Sequence, residues 1–198
     1  MNYLAHLLLA DDTDASRIGN LLGDFVRGSI SQLAETYPTE VVRGIKMHRA
    51  VDRFTDSHAL FKDAKLLLAP ERRRFAGVIV DILFDYYLCQ HWKTYCRQPL
   101  AEFCQEVYRA LDKHPEWRAG RLAKAFPTMK MQDWLTNYSH KEGIALTLRR
   151  VSQRTPRVAP IAQSVEDFHQ HHDEFEQIFL AYMPELIEFV REWKISNE

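Results

Sequence analysis

The chain has 198 residues, of which 46% are hydrophobic and 27% are charged, and its formal net charge is −1. The length fits one ordinary domain and the composition excludes a disordered chain, while the near-neutral charge favours neither a nucleic acid nor a membrane surface as partner. The three cysteines form no C-x-x-C pair and indicate reduced thiols in a cytoplasmic protein rather than a disulfide framework. No stretch approaches the roughly 18 apolar residues of a membrane span, so we expect no membrane-spanning helix.

Helical periodicity recurs along the whole chain, whereas strand and hairpin signals are nearly absent. Proline fits the start of several predicted helices, and Pro184 is expected to kink or split the last one. The segment 154–160, RTPRVAP, is the clearest predicted loop. We therefore expect one all-α domain over residues 1–198. Its predicted helices lie near residues 2–10, 15–34, 38–56, 58–68, 70–95, 98–112, 116–138, 140–152 and 164–193.

The first two predicted helices each contain a polar side chain that is a candidate site residue. His6 lies inside the apolar run YLAHLLLA. A lone histidine on an apolar face is more often a satisfied core residue than a ligand, so His6 gains weight only with partners. In the second helix Asn20 and Asp24 are one turn apart, with three glycines close by. Because glycine costs helix stability, these glycines indicate a bend or a close approach of backbones. Alone, such an aspartate is usually a surface or cap residue.

The third predicted helix places a histidine and an aspartate one turn apart among apolar residues. His48 and Asp52 fall on the side of the helical wheel opposite the basic residues. Imidazole and carboxylate together suit manganese, iron or zinc. An internal His–Asp hydrogen bond without metal is the alternative. Asp56 and His58 follow where the helix should end. They could be loop residues that belong to a site, or Asp56 could cap the next helix.

The predicted helix near 70–95 carries two carboxylates in an almost wholly apolar stretch, FAGVIVDILFDYYLCQHW. A helix that is apolar all round is a central, buried one. Asp81 and Asp85 share one of its faces, and two like charges there require a cation or a basic partner. A helix cap or a pair with a buried arginine would explain one of them without a metal.

Acidic or imidazole side chains among apolar residues therefore recur in four separate segments. Each would be costly alone, but around one divalent ion they would neutralise one another and supply ligands from rigid helices. A metal that activates water and polarises a phosphoryl oxygen would make the site a phosphoester hydrolase. The candidate ligands are His6, Asp24, His48, Asp52, Asp81 and Asp85.

The adjacent pair His172–Asp173, within EDFHQHHDEFE, is a weaker metal candidate. On a helical wheel His172 falls on the apolar face with Phe168, Phe175 and Phe179. A partly buried, solvated helix is the favoured interpretation of this segment.

The four segments resemble the acyl carrier protein phosphodiesterases, in order, through about the first half of the chain. The resemblance implies hydrolysis of the 4′-phosphopantetheine group from holo acyl carrier protein by a metal-activated water. It implies a divalent cation, manganese before magnesium or iron, and a helical fold related to the HD phosphohydrolases. The usual adjacent His–Asp pair is missing from the main cluster. The matching segments are MNYLAHLLLA, GNLLGDFVRG, GIKMHRAVDRFTDSH and AGVIVDILFDYYLCQHW.

Roles within such a site can be assigned to a few residues. Asp24, Asp52 and His58 are the candidate catalytic residues, with Asp52 or His58 as general acid. Because acyl carrier proteins are acidic, the substrate should dock on basic residues near the site. The oligomeric state is open, and no nucleic-acid partner is expected. The alternatives are a phosphohydrolase acting on nucleotides and a non-enzymatic helical binding module. The candidate docking residues are Arg49, Arg53, Arg72, Arg73 and Arg74.

Overall fold

A computed structural model describes residues 2–118 and 120–197, and every regular element in these ranges is helical, which confirms the all-α prediction. Three short 3-10 helices, Pro70–Phe75, Pro115–Trp117 and Pro156–Gln163, accompany the α-helices. None of the described helices is long and apolar enough to cross a membrane. The α-helices are α1 Tyr3–Leu9, α2 Asp14–Leu22, α3 Ile30–Ala34, α4 Thr39–Ser57, α5 Ala59–Leu66, α6 Ala76–Gln90, α7 Trp92–Tyr95, α8 Leu100–Lys113, α9 Gly120–Met131, α10 Trp134–Asn137, α11 Lys141–Ser152, α12 Ser164–Gln170 and α13 His172–Ser196.

The helices group into two compact units. The N-terminal unit consists of Tyr3–Asp52 and Trp92–Thr136, and the C-terminal unit is built mainly from Arg53–His91 and the chain from Asn137 onward. Helix α4 contributes residues to both. A single domain over the whole chain and its relation to the HD fold stay predictions.

Close backbone packing of α2 against α4 organises the N-terminal unit. A Cβ atom added to Gly19 would lie 2.2 Å from the carbonyl oxygen of Val41, and one added to Gly44 would lie 2.8 Å from that of Ser16. These distances leave no room for a side chain, so both glycines are needed where the helices cross. The glycine-rich sequence around α2 thus reflects a close approach.

The helix predicted over 15–34 was wrong in its extent. Helix α2 ends at Leu22, and the chain turns before α3 begins at Ile30. Gly28 has a φ of 111°, which glycine adopts without steric cost, and Ser29 then caps α3 in a capping box with Gln32. The predicted helix near 116–138 is likewise interrupted at Asp133, whose φ is 42°.

Helix α6 is the central element of the C-terminal unit, as its apolar sequence predicts. Phe84 packs edge-on against Phe61 and Phe179, with ring centroids 5.8 and 5.6 Å apart. Burial of each such aromatic ring stabilises the fold by about 1.5–3 kcal/mol relative to a ring exposed to water. Helix α6 begins at Ala76, after the 3-10 helix Pro70–Phe75, rather than at residue 70.

Two further predictions in the C-terminal unit do not hold as stated. The last helix is not split at Pro184, because α13 runs unbroken from His172 to Ser196, and a kink at this proline stays a prediction. Apolar residues on both sides of this proline, such as Phe179 and Leu186, are fully buried and offset the missing hydrogen bond. Most of the loop predicted over 154–160 belongs to the 3-10 helix Pro156–Gln163.

Candidate metal centre

Two histidines meet one carboxylate in the N-terminal unit. His6 of α1 has its Nε2 atom 3.1 Å from Oδ1 of Asp52, and His48 of α4 has its Nε2 atom 3.0 Å from Oδ2 of the same residue. The two imidazole rings stack, with centroids 3.8 Å apart. Both histidines thus direct the same ring nitrogen at Asp52, one to each oxygen.

Burial and hydrogen bonds together set the charge states of His6 and Asp52 in this His–Asp–His cluster (His6, His48 and Asp52). The side chains of His6 and His48 are 1% and 2% exposed, whereas that of Asp52 is 42% exposed. Burial and the neighbouring His48 lower the pKa of His6 to about 3, so its imidazole is neutral at physiological pH. Partial burial would raise the pKa of Asp52, but the hydrogen bonds of His48 and His6 outweigh this and hold that pKa well below its usual range. The cluster therefore presents a carboxylate and a neutral buried imidazole.

Gly23 makes room for the ring of His48. A Cβ atom at Gly23 would lie 2.1 Å from Cγ and 2.2 Å from Cδ2 of the His48 ring. The ring therefore occupies the space that any other side chain at position 23 would need. The glycine spacing around α2 was a signal of close packing, but it did not identify His48 as the neighbour.

Asp24 lies beside the cluster, just beyond the end of α2. Its Oδ1 atom is 3.9 Å from Nε2 of His48, and its side chain is 40% exposed. Arg121, which sequence reasoning missed, donates a hydrogen bond of 2.6 Å from Nη2 to the backbone oxygen of Asp24. Its Nε atom donates to the backbone oxygen of Phe25 at 3.3 Å. Because Arg121 is 97 residues away along the sequence, no local pattern identifies it as an anchor of this turn.

The remaining candidate acids lie in the C-terminal unit. Asp81 and Asp85 are both on α6, where Asp81 is half-buried and Asp85 is fully buried. Their assignment as metal ligands stays a prediction.

His58 and Asp56 occupy the turn between α4 and α5 in the C-terminal unit. Nε2 of His58 lies 3.1 Å from Oε2 of Glu185 on α13, a partner that the sequence did not indicate. Asp56 is exposed and lies 3.4 Å from the Lys65 ammonium. The N-cap of α5 is His58, so Asp56 does not cap that helix.

The predicted docking arginines differ in exposure. Arg53 is exposed on α4, whereas Arg49 is half-buried and donates from Nη1 to the backbone oxygen of Gly28 at 3.0 Å. In the 3-10 helix Pro70–Phe75, Arg73 and Arg74 are exposed. Arg49 and these three exposed residues stay candidates for docking.

Arg72 is not available at the surface. It is buried, and it donates two hydrogen bonds to the Asp167 carboxylate, from Nε at 2.6 Å and from Nη2 at 2.9 Å. Its charge is therefore neutralised inside the C-terminal unit. We leave Arg72 out of the docking surface for this reason.

The His–Asp–His cluster fits a divalent ion. Ligand atoms at about 2.1 Å from an octahedral ion lie about 3.0 Å apart, and the two Nε2–oxygen distances of 3.0 and 3.1 Å match this spacing. Imidazole and carboxylate are the donors that manganese, iron and zinc take up. The same distances also suit an internal hydrogen-bond network, so metal content distinguishes the two interpretations.

The fold and this cluster define an all-helical protein with the donor set of a divalent-metal centre. A family model described as "Acyl carrier protein phosphodiesterase" matches residues 1–186. The chain belongs to this family of phosphodiesterases, which confirms the resemblance found in the first half of the sequence and extends it through most of the second.

Relatives of this name match over nearly their whole length. The acyl carrier protein phosphodiesterase of Pectobacterium atrosepticum is 34% identical over 192 residues, which cover 96% of this chain and 98% of the relative. That of Yersinia pestis is 35% identical and covers 94% of this chain and 96% of its own. That of Escherichia coli strain CFT073 is 33% identical, with 95% and 96% covered. No solved structure matches the chain.

Proposed function

We propose that this chain hydrolyses the phosphodiester that links 4′-phosphopantetheine to a serine of holo acyl carrier protein, releasing the apo protein. The observation that carries the proposal is the family match over residues 1–186, which includes every residue of the His–Asp–His cluster. The product would be a carrier protein without its prosthetic group, and the chain would then act in lipid metabolism. The cysteine pattern supports a reducing compartment, and we assign the chain to the cytoplasm.

His6, His48 and Asp52 would hold the divalent ion, for which we propose manganese, with magnesium or iron as alternatives. When bound, such an ion polarises the phosphoryl oxygen and lowers the pKa of water. His6 is neutral at physiological pH, so its imidazole does not have to lose a proton before it can bind a metal ion. Asp24, partly exposed beside His48, would orient the attacking water or complete the ligand set.

The leaving serine oxygen requires a proton. Asp52 is a poor source, because its lowered pKa keeps it ionised throughout the physiological range. This leaves His58 as the candidate general acid. Glu185, 3.1 Å from its Nε2 atom, would orient that imidazole.

Removal and return of metal test the proposal directly. The full chain is incubated with holo acyl carrier protein, and loss of phosphopantetheine is followed as a mass decrease of the carrier. We expect EDTA to abolish the reaction and Mn²⁺ to restore it, because the cluster supplies ligands but no nucleophile of its own. Asp52→Asn should lose both activity and bound Mn²⁺, whereas Asp56→Asn, with an exposed carboxylate on the same helix, should retain both.

Three outcomes would contradict this assignment. Full activity in EDTA would exclude the metal. Hydrolysis of nucleotides but not of the holo carrier would favour a phosphohydrolase of small phosphoesters. Binding of the carrier without any mass change would favour a helical binding module. The same assay applied to Asp81→Asn and Asp85→Asn tests the two predicted ligands on α6.

A further inference from the structure

A second cluster of histidine and carboxylate side chains lies where α12 gives way to α13. The sequence here is HQHHDEFE, residues 169–176. Helix α12 ends at Gln170, and α13 begins at His172. The proposed reaction uses none of these residues, and the cluster lies wholly within the C-terminal unit.

The geometry of this cluster suits a metal ion. One ligand atom each from His172, Asp173 and Glu176 lie within 4.8 Å of one another. Nδ1 of His172 is 3.4 Å from Oδ1 of Asp173. Ligand atoms around a tetrahedral ion at about 2.0–2.1 Å are about 3.4 Å apart. The sequence interpretation considered only the adjacent pair, whereas the third donor, Glu176, comes one helical turn after His172.

The imidazole of His172 is held in place by its surroundings. Its ring centroid is 5.4 Å from those of Phe168 and Tyr87 and 5.9 Å from that of Tyr86. The hydroxyl of Tyr87 also donates to the backbone oxygen of His172 at 2.8 Å. A ring fixed in this way loses little freedom on binding an ion, which favours binding. The side chain is still 24% exposed, so an ion can reach it from solvent.

A fourth residue supports the cluster from the end of α6. Nε2 of His91 lies 2.7 Å from Oε1 of Glu176, whose side chain is 31% exposed. Carboxylate ligands of metals commonly have such a partner, which orients them. His91 follows the last residue of α6, so this contact connects the end of α6 with the beginning of α13.

We propose that His172, Asp173 and Glu176 bind a divalent transition-metal ion of the zinc class, with His91 positioning Glu176. One imidazole and two carboxylates are donors that zinc accepts, and water would complete the coordination. The positive end of the α13 dipole opposes a cation, but Asp173 and Glu176 place two negative charges at this point. The ion would stabilise the start of α13 against the end of α6.

The test uses the full-length, metal-stripped chain and Zn²⁺ alone. All variants carry Asp52→Asn, which impairs the His–Asp–His cluster, so the result does not depend on the proposed function. Glu176→Gln removes a ligand charge, and Glu174→Gln is its matched control, an exposed glutamate of the same turn outside the cluster. Bound Zn²⁺ per chain and its Kd are measured by calorimetry. Co²⁺ absorption reports the ligand geometry.

We expect Glu176→Gln to lose one Zn²⁺ per chain or to bind it at least about tenfold more weakly. Glu174→Gln should retain that ion. Addition of Zn²⁺ should raise the Tm of Glu174→Gln but leave the Tm of Glu176→Gln unchanged. Asp173→Asn, at a side chain 89% exposed, should weaken binding without disturbing the fold, and it replaces Glu176→Gln if that variant does not fold. Equal stoichiometry and Kd in the ligand variant and in Glu174→Gln would overturn the proposal.

Discussion

At the scale of single residues, Asp52 links the two buried histidines of the N-terminal unit. Its two oxygens satisfy Nε2 atoms of two buried imidazoles, and those contacts keep it ionised. Removal of this carboxylate would break its hydrogen bonds to both imidazoles. Each broken buried hydrogen bond lowers the free energy of unfolding by about 1–3 kcal/mol. The cluster is therefore one coupled group, and substitutions within it should not be additive.

Gly23 offers a test that substitutes none of the candidate ligand residues. Gly23→Ala should displace the His48 ring, because a methyl group there would lie 2.1 Å from its Cγ atom. A displacement of about 1 Å costs roughly a hundredfold in activity, so we expect kcat to fall by about that factor and Mn²⁺ to bind more weakly. Both are measured with the carrier mass assay and by Mn²⁺ titration.

Gly77→Ala is the control for this prediction. It makes the same substitution within helix α6, at a position where an added Cβ meets nothing within 4 Å. Alanine favours helix by up to about 1 kcal/mol, so this variant should be as active and at least as stable as the original chain. Equal activity of the two variants would show that the position of His48 does not matter.

The proximity of the candidate site residues could be predicted where the signal was local or compositional. Spacing of four residues placed His48 and Asp52 together, and acidic or imidazole side chains in apolar segments singled out His6 and Asp24. The structure brings these four side chains together, although their binding of an ion stays a prediction. The partners Arg121, Glu185 and Gly23 depend on contacts between distant segments, which periodicity does not encode.

At the scale of elements, the 3-10 helix Pro70–Phe75 separates three consecutive arginines. With about three residues per turn, successive side chains point in different directions. Arg72 faces inward to Asp167, while Arg73 and Arg74 face solvent. The sequence interpretation treated all three as one basic surface because Asp167 lies 95 residues away.

The buried pair of Arg72 and Asp167 should contribute to stability rather than to substrate binding. Loss of one partner of a buried ion pair costs about 3–5 kcal/mol, because the other charge stays buried alone. We expect Arg72→Met to lower the free energy of unfolding in urea by about that amount. Arg74→Met, two residues away and exposed, should change it by less than about 0.5 kcal/mol. Similar urea midpoints for both variants would show that the pair adds nothing to stability.

At the scale of the whole molecule, helical periodicity was enough to predict the all-α class, but not the ends of the helices. The errors fall at particular residues, such as Gly28 and Asp133, where the backbone takes a positive φ that no apolar pattern reveals. Pro184 shows the opposite case, because buried neighbours keep α13 continuous through a residue that usually ends a helix. Local signals thus predicted the elements, and tertiary packing determined their limits.

The whole-molecule charge is close to zero, so recognition of the acidic carrier protein proposed as substrate would depend on local basic residues. We expect the double variant Arg73→Glu/Arg74→Glu to raise KM for the holo carrier more than it lowers kcat, because both side chains are exposed and belong to no candidate metal cluster. Lys93→Glu/Arg97→Glu makes the same change in net charge at two other exposed residues and should leave KM near its original value. Steady-state kinetics at low and high salt measure the effect, which screening should reduce. An unchanged KM in the first variant, or an equal increase in both, would exclude a docking role for Arg73 and Arg74.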